Sequence, residues 1–113
     1  MSVNLTIQQG NLTKDPWQLE TKSETVIACL SIAINSGYKN KVTGKEDVDF
    51  IIFKAFGKQA ELALTWLTKG QNVTITGRIK NANYEKDGKK VYKNDYVADK
   101  IHFGSKKEAV NEQ

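Results

Sequence analysis

Hydrophobic and polar residues alternate along several stretches of the chain, as they do in strands that bury one face. In the clearest stretch, residues 25–35 (TVIACLSIAIN), the larger apolar side chains fall on every second position from Val26 to Ile34. The other stretches that we interpret as strands are residues 3–8, 47–56, 72–80 and 97–103. Five strands are therefore predicted, and residues 18–22 are a candidate for a further short one. In the last of the five, Val97, Ile101 and Phe103 are expected to enter the core.

One segment has helical rather than strand spacing. An apolar stripe at helical intervals follows Gly57, and Gly70 comes where a helix would end. The stripe consists of Ala60, Ala63, Leu64 and Leu67. Trp66 is expected to pack beside it. This helix falls between the third and fourth strands. That element order is typical of the OB-fold, an all-β, five-stranded Greek-key barrel that binds oligonucleotides on its outer face and long loops.

The strand before the helix carries an unusual face. Its alternation places Phe50, Lys54 and Phe56 on one side and Ile51 and Phe53 on the other. If both faces were buried, the rings would be explained but the lysine would not. If Ile51 and Phe53 lie in the core, the two outer rings flank a cation, which suits stacking with unpaired bases. Burial of Phe50 and Phe56 in the core is the alternative.

Positive charge is concentrated in one ribbon of the chain. Residues 78–93 contain six cations and two acids, a surplus of +4 that equals the net charge of the whole chain. Asp87-Gly88 is a strong hairpin-turn signal within this ribbon, and Tyr84 and Tyr92 flank the turn. Tyr38 similarly lies among lysines in the loop 36–46. Rings interleaved with cations favour a single-stranded nucleic acid as the partner, although lysines also protect exposed strands from pairing.

Composition narrows the class of protein. The chain has 113 residues, 39% of them hydrophobic and 27% charged, which fits one globular domain. No nucleophile–base pair or phosphate-binding glycine loop is visible, and a single histidine and a single cysteine cannot form a metal cluster. We therefore expect neither enzymatic activity nor a cofactor, and Cys29 should be an inert buried thiol. Without a signal peptide or a membrane span, we expect a cytoplasmic protein.

Several short segments resemble the bacterial-type single-stranded DNA-binding protein family. Each is weak alone, but their order and spacing match the family over residues 1–104. The matching segments are GNLTKDP at 10–16, AIN followed by Tyr38, DFIIFKAFGKQAE at 49–61, LTKG at 67–70, VTITGRI at 73–79, NYEKDGKKVY at 83–92 and VADKIHF at 97–103.

The resemblance implies a homo-oligomeric OB-fold protein that coats unpaired DNA during replication, recombination or repair. The family's base-stacking positions fall on Tyr38, Phe50, Phe56 and Tyr84. The family usually forms tetramers as pairs of dimers, and a homodimer is the alternative; the first strand is the expected pairing edge. From the charge pattern, the candidate phosphate contacts are Lys39, Lys41, Lys54, Arg78, Lys80, Lys86, Lys89, Lys90 and Lys93.

Two departures from the family qualify these expectations. Tyr38, Tyr84 and Phe50 stand where tryptophan is common in the family, so these smaller rings should still stack, but more weakly. Cellular members end in an acidic tip that recruits replication and recombination proteins, whereas residues 105–113 form a short polar tail that we expect to be disordered. Recruitment of such partners is therefore in question, and a phage-borne or plasmid-borne version or a truncated chain is suggested. The alternative function is an OB-fold accessory factor that binds a protein partner or RNA.

Overall fold

The structure is a computed structural model that describes residues 2–20 and 24–104. The expected tail at 105–113 lies outside the described residues, as does the end of a possible short strand at 18–22. The elements are β1 (Thr6–Leu12), β2 (Trp17–Leu19), β3 (Ile27–Lys39), β4 (Glu46–Phe56), α1 (Lys58–Trp66), β5 (Asn72–Asn81), β6 (Tyr84–Lys86), β7 (Lys89–Val91) and β8 (Asn94–Phe103).

Five of these strands close into a barrel. The sheet order is β1-β5-β8-β4-β3-β2, and β1 also pairs with β3, so that β1, β5, β8, β4 and β3 form a ring. The closing contact between β4 and β8 is parallel, whereas β3 and β4 pair in antiparallel fashion. Helix α1 connects the third and fourth barrel strands. The predicted OB-fold is therefore confirmed, with β2 as an extra edge strand and β6–β7 as a separate hairpin.

The barrel core comes from the alternating faces that the sequence predicts. Leu30 and Ile32 from β3, Phe53 from β4 and Ile75 from β5 are fully buried in one cluster. Burial of each such side chain contributes about 1.5–3 kcal/mol. Ile51 packs partly against the same cluster, so the inner face of β4 is the one that the alternation indicates.

Helix α1 covers the barrel with small residues. It follows Gly57, whose φ of 61° and ψ of −127° are readily adopted by glycine. Ala60 and Ala63 are fully buried, and Leu67, which ends the helix in an extended conformation, is 3% exposed. Trp66 was expected to pack, but it is 61% exposed. That prediction is wrong because position 66 lies outside the Ala60–Ala63 stripe and points away from the barrel.

Two other apolar segments also differ from expectation. Val3, Leu5 and Ile7 were predicted to line a half-buried strand, yet they are 89%, 62% and 61% exposed. In β1 the buried residues are instead Gly10 and Leu12. At the end of β8, Ile101 enters the core as expected.

Phe103, which was expected to enter the core with Ile101, is 44% exposed. Alternation identifies which side chains share a face of a strand, but it cannot show whether anything covers that face.

Candidate nucleic-acid interface

The outer face of β4 carries the aromatic row that the sequence predicts. Phe50, Lys54 and Phe56 project from the barrel, while Phe53 and Ala55, on the opposite face, are completely buried. Phe50 is 68% exposed and Phe56 is 41% exposed. The two residues are six positions apart on the strand, which corresponds to about 20 Å along β4. The alternative that these rings belong to the core is therefore not supported by the structure.

Two surface depressions flank this row. The larger has a volume of about 690 Å³ and is lined by Phe56 together with Lys54, Arg78 and Lys80. The second, of about 290 Å³, is lined by Phe50, Lys54 and Lys93 among others. Lys54 and Asp95 line both depressions. The two depressions therefore adjoin at these residues and follow the outer face of β4.

Tyr84 lies on the hairpin formed by β6 and β7. At its turn, Asp87 has a φ of 54° and Gly88 a φ of 77°, the backbone that an Asp-Gly two-residue hairpin favours. Lys86 and Lys89 face each other across this turn. Tyr84 is 50% exposed.

A third depression, of about 380 Å³, lies at the base of this hairpin. Tyr84, Lys90 and Tyr92 line it together with Asn83 and Glu85. Tyr92 is 75% exposed, which makes it a second ring beside Tyr84. Its position two residues beyond Lys90 in the cationic ribbon is the sequence signal that could have added it to the candidate set.

Tyr38 lies near the end of β3, close to the loop that leads into β4. It is 76% exposed, and Lys39 and Lys41 are its exposed cationic neighbours in the sequence. The Asn40 side chain accepts hydrogen bonds from the backbone N–H groups of Val42 and Thr43, which fixes this turn. Tyr38 and Tyr84 line neither depression on β4. Tyr38 stands on the hairpin of β3 and β4, and Tyr84 stands on the hairpin of β6 and β7.

Two of the candidate phosphate-binding cations already have anionic partners. Lys54 Nζ lies 3.0 Å from Asp95 Oδ2, and the Arg78 guanidinium pairs with the Asp99 carboxylate. Asp95 and Asp99 are not among the site residues that the sequence predicts. Their signal is the alternation in Asp95-Tyr96-Val97-Ala98-Asp99, which places both carboxylates on the side of β8 opposite Tyr96 and Ala98.

The remaining chemical features of the described residues are modest. Cys29 is buried on β3, and burial raises the pKa of its thiol, partly opposed by the charge of Lys54. Within residues 2–20 and 24–104, no cluster of three or more His, Cys, Asp or Glu side chains has a geometry that could hold a metal ion. Among the same residues, no helix has the length and apolar character needed to cross a bilayer.

Comparison with known proteins identifies the family. Residues 3–104 match the model of the single-strand binding protein family. The chain belongs to that family. It is 39% identical over 102 residues to single-stranded DNA-binding protein 1 of Staphylococcus aureus (strain MSSA476), an alignment that covers 89% of this chain and 65% of the relative. The chain thus corresponds to about two-thirds of the length of this relative.

A second relative and a solved structure extend the match. Single-stranded DNA-binding protein 1 of Streptococcus pyogenes serotype M18 (strain MGAS8232) is 36% identical over 107 residues, covering 94% of this chain and 82% of the relative. The wild-type single-stranded DNA binding protein from Thermus aquaticus superposes with a TM-score of 0.77 at 25% identity, over 93% of this chain and 52% of that one. The barrel is therefore shared with family members of known structure.

Proposed function

We propose that this protein binds single-stranded DNA without sequence preference and protects it during replication, recombination or repair. The observation that carries the proposal is the row of Phe50, Lys54 and Phe56, which faces outward on a rigid barrel strand between two adjoining depressions. Flat rings beside cations suit unpaired bases joined by phosphates. The names of the relatives from Staphylococcus and Streptococcus support the same partner.

The proposal assigns aromatic rings to the bases of the DNA strand and cations to its phosphates. Tyr38, Phe50, Phe56 and Tyr84 stack on bases, with about 1–3 kcal/mol for each base stacked. Tyr92 adds a ring beside Tyr84. The proposed phosphate contacts are the nine cations Lys39, Lys41, Lys54, Arg78, Lys80, Lys86, Lys89, Lys90 and Lys93. Both kinds of contact are non-covalent, so the proposed function is binding and requires neither a cofactor nor a chemical step.

The proposal includes self-association through β1. Val3, Leu5 and Ile7 form an exposed apolar row, and the side chain of Asn4 bonds both backbone groups of Ile79, which fixes the start of this row beside β5. A second copy that paired its own β1 there would cover both rows. We propose a homodimer built at β1, which pairs again to give a tetramer. Joining several barrels extends the DNA-binding surface through effective concentration.

Fluorescence anisotropy with labelled oligonucleotides tests the proposal. We expect nanomolar affinity for a poly-dT oligonucleotide and far weaker binding of a duplex of equal length. Affinity should fall steeply with salt, because each phosphate contact releases counterions. Equal affinity for the duplex would contradict the proposal. RNA of equal length should be displaced easily by the DNA strand, and tighter binding of RNA would instead indicate an RNA-binding accessory factor.

A further inference from the structure

Two carboxylates stand inside the proposed phosphate path. Asp95 and Asp99 line the larger depression together with Phe56, and each is paired with a candidate DNA-binding cation. In the part of the chain that the structure describes, these two pairs are the ion pairs between side chains. The groove proposed to bind DNA thus carries its own anions, and neither acid belongs to the buried core cluster.

The strand register places Asp95 at the centre of the path. Asp95 lies directly opposite Lys80 on β5, and its carboxylate reaches Lys54 on β4. The side chains of Lys54 and Asp95 are 31% and 19% exposed. This pair also lies where the Phe50 and Phe56 depressions adjoin. A strand that stacks on both rings must therefore pass over the Lys54–Asp95 pair.

A β-bulge places Asp99 in the same groove. On β5, Thr76 pairs with Lys100 and Gly77 pairs with Ala98, so Asp99 is an extra residue between them. Bulges re-aim side chains, and this one directs the Asp99 carboxylate to Arg78. The two side chains of this pair are 50% and 44% exposed. The pair is thus accessible to solvent and to a phosphate.

We propose that Asp95 and Asp99 are built-in competitors of the DNA phosphates for Lys54 and Arg78. A phosphate that approaches either cation meets the repulsion of the carboxylate, and it gains the cation only by displacing that carboxylate. Binding thereby becomes an exchange of anions, which lowers affinity and allows the strand to dissociate quickly. This inference rests on the proposed function and identifies two acids that tune it.

The exchange has a signature in the salt dependence of binding. A cation that exchanges a carboxylate for a phosphate releases few counterions, because the freed carboxylate attracts cations in turn. Replacing the acid by its amide leaves the lysine or arginine to gather counterions and release them when DNA binds. Each such substitution should therefore steepen the plot of log affinity against log salt by up to about 0.7.

The test compares Asp95→Asn and Asp99→Asn with a control of equal charge change, Glu61→Gln. Glu61 lies exposed on α1 and lines none of the depressions that contain the candidate residues. In anisotropy titrations with labelled poly-dT at low salt, we expect Asp99→Asn to bind about two- to fivefold more tightly than the wild type, and Asp95→Asn about three- to tenfold. Both should steepen the salt dependence and slow dissociation in stopped-flow experiments, while Glu61→Gln changes little.

Several outcomes would overturn the inference. Equal or weaker binding by both variants would mean that the acids merely hold the cations in position. The same gain in Glu61→Gln would mean that net charge alone is responsible. If the wild type itself fails to bind poly-dT, the proposed function fails; if it binds and the variants do not differ from it, the inference alone fails. Circular dichroism melting confirms that each variant is folded. If Asp95→Asn unfolds, Asp99→Asn alone tests the inference, because the Arg78–Asp99 pair is exposed to solvent.

Discussion

Gly77 on β5 lies against the backbone carbonyl of Val97 on β8 so closely that a Cβ at position 77 would stand 1.9 Å from the oxygen. The contact occurs at the bulge that sets Asp99 beside Arg78. Glycine is therefore required here by the close approach of two backbones, and the barrel seam and the groove depend on the same residue.

Substitution of Gly77 should consequently disturb both stability and the groove. We expect Gly77→Ala to lower the free energy of unfolding by about 2–3 kcal/mol, because neither backbone can move away without breaking β5–β8 pairing. Urea denaturation followed by circular dichroism measures the change.

Gly44 provides the control for the Gly77 substitution. It has a φ of 74°, but a Cβ there would meet nothing within 4 Å. Gly44→Ala should thus cost only the strain of an L-residue in the left-handed region, about 1–2 kcal/mol. An equal loss of stability in the two variants would show that the approach to Val97 is not limiting.

Two phenylalanines on opposite faces of β4 should have different roles, Phe56 in DNA binding and Phe53 in stability. Phe56→Ala removes a ring that is 41% exposed, so we expect weaker poly-dT binding by about 1–3 kcal/mol with the fold retained. Phe53→Ala removes a completely buried ring and should instead lower the free energy of unfolding by about 3–5 kcal/mol. Anisotropy and thermal melting on both variants give the comparison.

Two results would contradict this assignment. If Phe56→Ala leaves no folded fraction, the ring belongs to the core. If Phe56→Ala binds poly-dT as tightly as the wild type, the ring does not stack on DNA. Trp66→Ala is the matched control for loss of an exposed ring, since Trp66 lies on α1 and lines neither depression on β4, so its loss should leave affinity unchanged.

The barrel could be predicted because its strands and helix are each specified by the residue pattern within that element. Alternation along β3 and β4 assigns Leu30 and Phe53 to the inside, and the helical stripe between two glycines places α1 between the third and fourth barrel strands. The positive φ values at Asp87 and Gly88 likewise follow from the turn chemistry of two adjacent residues.

Features that depend on distant residues could not be read in the same way. The Lys54–Asp95 pair joins residues 41 positions apart through a parallel contact that no local pattern encodes. Alternation places Phe103 on the same face of β8 as the buried Ile101, but no local pattern shows that this face is left uncovered at position 103. Trp66 was misplaced because a helical stripe does not define how wide the covered surface is.

The Cys29 thiol should be unreactive in the folded protein. It is 3% exposed, and burial raises its pKa, so little of the nucleophilic thiolate forms near neutral pH. We expect iodoacetamide to alkylate Cys29 far more slowly in buffer than in urea, as measured by mass spectrometry. Equal rates would show that β3 opens readily at this position.

The same shift gives Cys29 a defined effect on stability. Because the pKa of the folded thiol is raised, the folded protein holds this proton more tightly than the unfolded chain does. The resulting contribution to the free energy of unfolding is fully present below the ordinary thiol pKa. It is lost as the pH rises from there through the folded value. Stability should therefore fall with rising pH in that alkaline range, and Cys29→Ala should lessen the fall. A variant whose stability declines as steeply as the wild type would assign the effect to other groups.

The exposed row of Val3, Leu5 and Ile7, which runs from just before β1 into its start, should control self-association. In the described part of the chain, β1 pairs with β3 only at Asn11 and Leu12, which leaves the edge beside Leu5 and Ile7 available to a second copy. In a two-fold interface every substitution occurs twice, so Leu5→Glu would bring two carboxylates into an apolar contact. Light scattering should show a mass near the 12.7 kDa monomer for Leu5→Glu and a multiple of it for the wild type.

Val42→Glu is the control, because it makes the same kind of change at a side chain that is 94% exposed in the β3–β4 turn. It should leave the oligomer intact. A monomeric wild type, or an oligomer that persists in Leu5→Glu, would show that β1 is not the pairing edge.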